Sequence, residues 1–224
     1  MAGATFLDNL SADDRTALLS TAREVKLAAG EQLFGHGEDG SSFAILLAGR
    51  FKLVTRASTG RKVLLGLRGP GDLIGEIAIL DQGLRTADVI ALEAARVAIG
   101  NSDSLRRVLT ERPSAMLAVC QSLNRRLREA DEGRVEMAAL TGNARVAVRL
   151  VVLADRYGKP TDDGVEIALP LTQDEIADWT GLSRPAVARA LAEFRASGLV
   201  VTGRRALTLT DLGRLRQYAE TESE

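Results

Sequence analysis

Glu76 and Arg85 are the pair whose types and spacing could do chemistry. They stand in the string Gly71-Asp72-Leu73-Ile74-Gly75-Glu76-Ile77-Ala78-Ile79-Leu80, closed by Arg85-Thr86-Ala87. Arginine offers a planar, permanently charged fork suited to phosphate oxygens. Glu76 would be an odd neighbour for a phosphate unless it accepts hydrogen bonds from sugar hydroxyls beside it. Leu73 to Leu80 has the apolar density of one buried helical turn, with a strand expected to run into Gly71-Asp72. Gly75 lets backbone approach something closely. A short helix opening beside a glycine presents unpaired N–H groups that an anion satisfies. Together these features predict a pocket for a phosphate joined to a ribose. On spacing alone a plainer alternative stays open: a tight turn whose Glu76 and Arg85 form a surface ion pair, worth little.

A second constellation lies near the C-terminus, from Leu171 to Leu191. Thr172 with Glu175 makes a capping box, so a helix starts there. Gly181 supplies a tight turn and Ser183 caps a second helix, which ends at Gly198. Ile176, Ala177, Leu182, Val187 and Leu191 hold the two helices together as a helix-turn-helix, with Trp179 read as core. Leu199-Val200-Val201 and Ala206 to Leu209 flank Thr202-Gly203-Arg204-Arg205, a hairpin wing with two arginines at its tip. From Leu182 to Arg216 the arginines 184, 189, 195, 204, 205, 214 and 216 face only Glu193 and Asp211. A one-sided basic surface suits a phosphate backbone.

Other elements must position these two sites. Asp8 to Ala22 reads as a helix capped by Ser11, with Leu18 and Leu19 inward. From Val25, short apolar runs broken by glycine (Leu33-Phe34, Phe43 to Leu47, Phe51 to Val54, Val63 to Leu65) predict a small antiparallel roll. Ala87 to Leu92 and Ala95 to Ile99 complete it, and Asn101-Ser102-Asp103 starts a helix to Glu111. Pro113 suits the first turn of the next helix. There Met116, Cys120, Leu123, Leu127, Ala130, Arg134 and Met137 recur at alternating intervals of four and three, a heptad seam for two packed helices. The alternative is a helix packed on its own domain, its face Arg125 to Glu129 merely solvated. Thr141-Gly142-Asn143 reads as a hinge, and Gly158 to Gly164 as a linker into a strand from Val165 to Leu169. Asp211 caps a last helix.

Composition narrows the chemistry. At 224 residues the chain is long enough for two domains, and its formal charge of −1 points to no partner globally. One cysteine and one histidine, Cys120 and His36, exclude an internal disulfide and a His/Cys metal cluster. They are equally unsuited to an iron–sulfur centre or a haem. No nucleophile–base pair suggests catalysis, so no enzyme is expected. No apolar run approaches bilayer length and no basic, apolar leader opens the chain, so a cytoplasmic protein is expected.

Gly75-Glu76-Ile77-Ala78-Ile79-Leu80 followed by Arg85-Thr86-Ala87 resembles the phosphate-binding cassette of cyclic-nucleotide-binding domains. That family shows Gly-Glu-x-Ala-x-Leu, a short loop, then Arg-Thr-Ala or Arg-Ala-Ala. The order roll, cassette, long helix and winged helix-turn-helix resembles the cAMP receptor protein / fumarate-nitrate regulator family over nearly the whole chain. The resemblance implies an α+β chain: a cyclic-nucleotide-binding β-roll over 1–112, a dimerisation helix over 113–141 and a winged helix-turn-helix over 142–224. It implies a homodimeric transcription regulator controlled by a cyclic nucleotide, cAMP first, with a palindromic operator in double-stranded DNA. RNA polymerase is a candidate partner. Carried over, Glu76 holds the ribose hydroxyl and Arg85 and Thr86 the cyclic phosphate, within a ligand set of Gly75, Glu76, Ile77, Ala78, Arg85, Thr86, Ala87 and Asp131. Arg184 and Arg189 meet guanines and phosphates, within a DNA set of Thr172, Ser183, Arg184, Pro185, Ala188, Arg189, Arg204 and Arg205. The seam consists of Met116, Cys120, Leu123, Leu127 and Ala130.

This chain departs from the family pattern twice. Ala130-Asp131 stands where cAMP-responsive members carry Thr-Ser or Thr-Asn, and Pro185 stands where many carry an acidic residue. A regulator of the same fold that binds DNA without a cyclic nucleotide is the alternative reading. An enzyme or scaffold borrowing the nucleotide domain is the third.

Overall fold

The computed structural model describes residues 4–168, 171–203 and 206–221. They form two compact units, residues 4–128 and 129–221. In the first, a 3-10 turn (Leu7–Asn9) precedes α1 (Ala12–Leu19), capped by Ser11, which accepts from the Asp14 N–H at 3.1 Å. The helix is shorter than the sequence predicts, because the chain from Ala22 on pairs as a strand.

Eight strands follow: β1 (Ala22–Leu27), β2 (Gln32–Phe34), β3 (Ser42–Ala48), β4 (Phe51–Arg56), β5 (Lys62–Arg68), β6 (Leu73–Ile74), β7 (Asp88–Ala91) and β8 (Ala95–Asn101). They make two antiparallel sheets, β1-β8-β3-β6 and β2-β7-β4-β5. Strand β3 is buried on both faces. Phe43 and Ile45 enter one cluster with Phe6, Leu18, Leu105 and Val119, while Ala44 and Leu46 enter another with Phe34, Phe51, Val89 and Val97. The alternation is the strand period of two.

The same period corrects the reading of the cassette. Gly71-Asp72 ends no strand; Gly71 has φ +87. Leu73 and Ile74 pair with Ile45 and Ala44 and point into the two opposite clusters, which a helix could not arrange. The helix is therefore only α2 (Glu76–Leu80).

Two helices close the roll, α3 (Ser102–Glu111), capped by Asn101, and α4 (Pro113–Ala139). Asp14 ties their junction to α1. Its buried carboxylate accepts from the Ser114 hydroxyl at 2.6 Å and from Arg112 at 3.1 Å. The Ser114 bond, then the Arg112 bond, hold its pKa below the ordinary 3.8. A lowered carboxyl pKa stabilises the fold fully above the unfolded value, and the contribution is lost as pH falls through the native one. Asp14→Asn should thus lower the melting temperature at neutral pH and flatten its acid dependence below pH 3.8, read by thermal melts across pH.

Along α4 the seam is shared. Ala115, Ala118, Val119 and Ser122 are buried, and Met116 and Leu123 pack half-buried on their own cluster. Cys120, Leu127 and Ala130 are exposed, as is Leu117, one residue beyond the expected register. The charged face from Arg125 is not merely solvated: Arg125 pairs with Asp72 at 3.1 Å and Arg126 with Glu76.

In the second unit Thr141 caps α5 (Gly142–Tyr157), so the break between helices is confined to Leu140-Thr141. The expected linker is a hairpin instead: β9 (Lys159–Thr161) folds back on β10 (Gly164–Ile167). Then come α6 (Gln173–Thr180), α7 (Arg184–Ala196), β11 (Val200–Thr202), β12 (Leu207–Leu209) and α8 (Leu212–Thr221). The wing strands join that hairpin in one sheet, β11-β12-β10-β9. Leu169, predicted to end a strand, lies outside the described residues. No helix among those residues is long and apolar enough to cross a membrane.

Candidate functional site

Glu76 and Arg85 are two of the few buried charged residues, 2% and 5% exposed. They do not pair with each other by a salt bridge. Arg85 donates to the carbonyls of Gly75 (3.0 Å) and Ser42 (2.6 Å), and its guanidinium lies 4.0 Å from the centre of the Phe34 ring. Burial pushes the Arg85 pKa down, and the Glu38 and Glu76 carboxylates oppose that push. Glu76 pairs through Oε1 with Arg126 of α4, which also donates to the Leu73 carbonyl. Arg85 Nε, Glu76 Oε2 and Arg126 Nε are buried with no partner. Buried polar groups without partners are rare enough to need a cause.

All three residues line one cavity of about 40 Å³, with Phe34, Leu53, Ile74, Gly75, Ile77, Ala78, Thr86, Ala87 and Val89. The surface ion pair left open by the sequence is thereby replaced. Gly75 makes the arrangement feasible. It caps α2 with φ +92, and a Cβ there would stand 2.5 Å from Arg85 Nη1. Only glycine meets both demands.

Seven of the eight expected ligand residues line this cavity; Asp131 is not among them. Its exposed carboxylate pairs with Arg134 at 2.6 Å. In place of the expected Asp131, α4 supplies Arg126 to the cavity, a residue that the sequence placed in neither the ligand set nor the seam. No spacing in the sequence ties Arg126 to Glu76, fifty residues away. A larger cavity, about 180 Å³, lies in the second unit among residues such as Leu150, Ile167 and Leu191, and none of its described lining residues is charged. A third, of about 420 Å³, has only the exposed Arg23 as a charged lining residue; buried charge, not size, selects the first.

The helix-turn-helix is built as predicted. Thr172 and Glu175 form the reciprocal capping box, Gly181 turns the chain at φ +72, and Ser183 caps α7 with Pro185 in its first turn. Val187, Ala190, Leu191 and Phe194 are buried, leaving Arg184, Pro185 and Arg189 exposed and Ala188 half-buried on the other side. Arg184 has a loose partner in Asp174 at 3.8 Å, both side chains two-thirds exposed. Arg189 has no ion pair among the described residues. Arg216 pairs with Asp155, which offsets its charge, whereas Arg195 only bonds the neutral Thr202 hydroxyl at 3.2 Å and keeps its charge uncompensated among the described residues. Arg204 and Arg205 lie outside the described residues. Among the described residues no cluster of His, Cys, Asp and Glu could hold a metal ion.

Residues 24–112 match the cyclic nucleotide-binding domain model, and residues 144–218 the Crp-like helix-turn-helix domain. A CRP-like cAMP-activated global transcriptional regulator of Mycobacterium tuberculosis is 32% identical over 203 residues, 91% of each chain. The cyclic AMP receptor protein of Thermus thermophilus is 25% identical over 219 residues, 98% of each. The crystal structure of another CRP-family regulator from that organism covers 89% of this chain and 98% of its own, with TM-score 0.76 and 26% identity. The fold and its two sites define a DNA-binding transcription regulator with a cyclic-nucleotide-binding domain. The chain belongs to the CRP/FNR family.

Proposed function

We propose that this regulator is cytoplasmic, acts as a homodimer on palindromic operators and is controlled by a cyclic nucleotide in the roll. One observation carries the ligand: a carboxylate and a guanidinium, both almost wholly buried and each with one atom left unpartnered, line the same cavity. A ribose hydroxyl would donate to Glu76 and a cyclic phosphate would accept from Arg85 and from the exposed Thr86 hydroxyl. The names of the two relatives described above support cAMP as the first nucleotide to test. Calorimetric titration with cAMP and cGMP tests the reading. With no base-reading Thr-Ser pair, the two should bind with similar affinity.

The cavity's size favours a second reading. Its 40 Å³ holds about one water, against roughly 300 Å³ for an ordinary small-ligand pocket, so a nucleotide must push Arg126 aside. If neither nucleotide binds at millimolar concentration, the Arg126–Glu76 pair is a permanent plug and the chain binds DNA without one.

The dimer rests on Leu117 and Leu127, 59% and 57% exposed on one side of α4. Leu127→Glu should convert dimer to monomer in analytical ultracentrifugation without unfolding the chain. Each lost leucine contact is worth roughly 1.5–3 kcal/mol and a two-fold axis applies it twice. An unchanged dimer would place the interface elsewhere.

A further inference from the structure

In the second unit, one side of α5 carries arginines that reach its neighbours. Arg156 pairs with Glu129 and Arg149 with Glu136, both acids on α4. The acids are seven residues apart, as are the arginines, in reversed order, which returns each helix to the same face after two turns. The Arg149 rung is the more buried of the two and has one further contact. Arg149 also lies 5.1 Å from the centre of the Trp179 ring on α6. Its side chain and that of Glu136 are 14% and 18% exposed. The guanidinium lies close to α4 at Gly133, where a Cβ would stand 3.5 Å from Nη2, an ordinary contact. Arg145, one turn earlier, donates to the Thr180 carbonyl at 3.2 Å, at the C-terminal end of α6.

We infer that Arg149 is a positioning residue for DNA recognition: bonded to Glu136 and set against Trp179, it fixes α6, and with it α7, to the tail of the long helix. A buried cation cannot be left without its carboxylate, because uncompensated charge in that environment is strongly unfavourable. When Glu136 moves, Arg149 must follow, and the Trp179 ring resting on it moves too. Ile176 and Ala177 are buried on α6, Val187 and Leu191 on α7, and the two helices are in contact, so the recognition helix is carried along. Trp179 thus does more than fill the core. The inference rests on α7 being the DNA-contacting helix.

A double-mutant cycle tests it. The probe is a duplex enriched from a random pool by the parent chain, and the variants are Glu136→Gln, Trp179→Leu and the two combined. Each single change should weaken binding about tenfold, and the pair no more than about twentyfold, because both cut the same link. Glu129→Gln removes the rung without a tryptophan contact and should leave affinity within about threefold. Trp179 is the only tryptophan, so its emission reports the contact without any DNA. Emission should shift in Glu136→Gln and stay in place in Glu129→Gln. Losses that multiply to about a hundredfold, equal losses from both glutamates, or an emission unmoved by Glu136→Gln overturn the inference.

Discussion

Arg85→Leu is expected to abolish cyclic-nucleotide binding within the millimolar range of a calorimetric titration. The guanidinium is the one fixed cation that the cassette offers a phosphate, and it is 5% exposed, where water can replace little of what is lost. Removing one partner of a buried, hydrogen-bonded charge pair costs about 2–5 kcal/mol, or roughly thirty- to several-thousandfold in affinity. Leucine also leaves the carbonyls of Gly75 and Ser42 without their donor, so the melting temperature should fall. Arg85→Lys separates the two effects. It keeps the charge but not the fork, and should bind nucleotide weakly while melting near the parent. Parent-like binding by the leucine variant would remove Arg85 from the site.

Arg189→Ala should relax base preference at one position of each half-site. Arg189 is exposed, has no ion pair among the described residues, and stands opposite the buried Val187–Leu191 face of α7. Nothing must be broken before it reaches a guanine. A bidentate contact to O6 and N7 is worth about 1–3 kcal/mol of discrimination. Arg184 begins slightly differently, since its loose bond to Asp174 must be given up. Pro185 has no acceptor for a cytosine amino group, so the neighbouring base pair should be loosely specified. Selection from a random pool by the parent chain should return two symmetric half-sites about one helical turn apart. Unchanged preference in the variant, or selected sites without dyad symmetry, would refute this assignment.

Capping and turn chemistry made the second domain legible in the sequence. Thr172 with Glu175, Gly181 and Ser183 each have one local task, and local tasks are written in adjacent residues. Strand Leu73–Ile74 was misread because a two-residue strand buried on both faces has no alternation to detect. The linker before Val165 hid a hairpin for a similar reason: Lys159-Pro160-Thr161 is polar and exposed, and becomes a strand only by pairing with β10. Most hidden was Arg126. Its partner is fifty residues away, and no spacing rule links a helix arginine to a glutamate on another element. Leu117 shows the limit of heptad counting. Residues of one stripe were divided between the helix's own core and an open face, and only the packing of Met116 and Leu123 reveals the division.

Phe6 carries a consequence for synthesis of the chain. It is wholly buried, and its cluster includes Leu105, Leu109, Ala115 and Val119 from α3 and α4. Its seat, shared with Phe43, Ile45 and Leu73 of the roll, therefore stays incomplete while the roll is leaving the ribosome. At roughly 5–20 residues per second, the later helices trail Phe6 by about 5–20 s, longer once the exit tunnel is counted. For that interval Phe6, Leu10 and Leu18 present a greasy N-terminal segment to chaperones and proteases. A nascent chain stalled before α4 should accordingly be cut near its first residues, while one released beyond Val119 should resist.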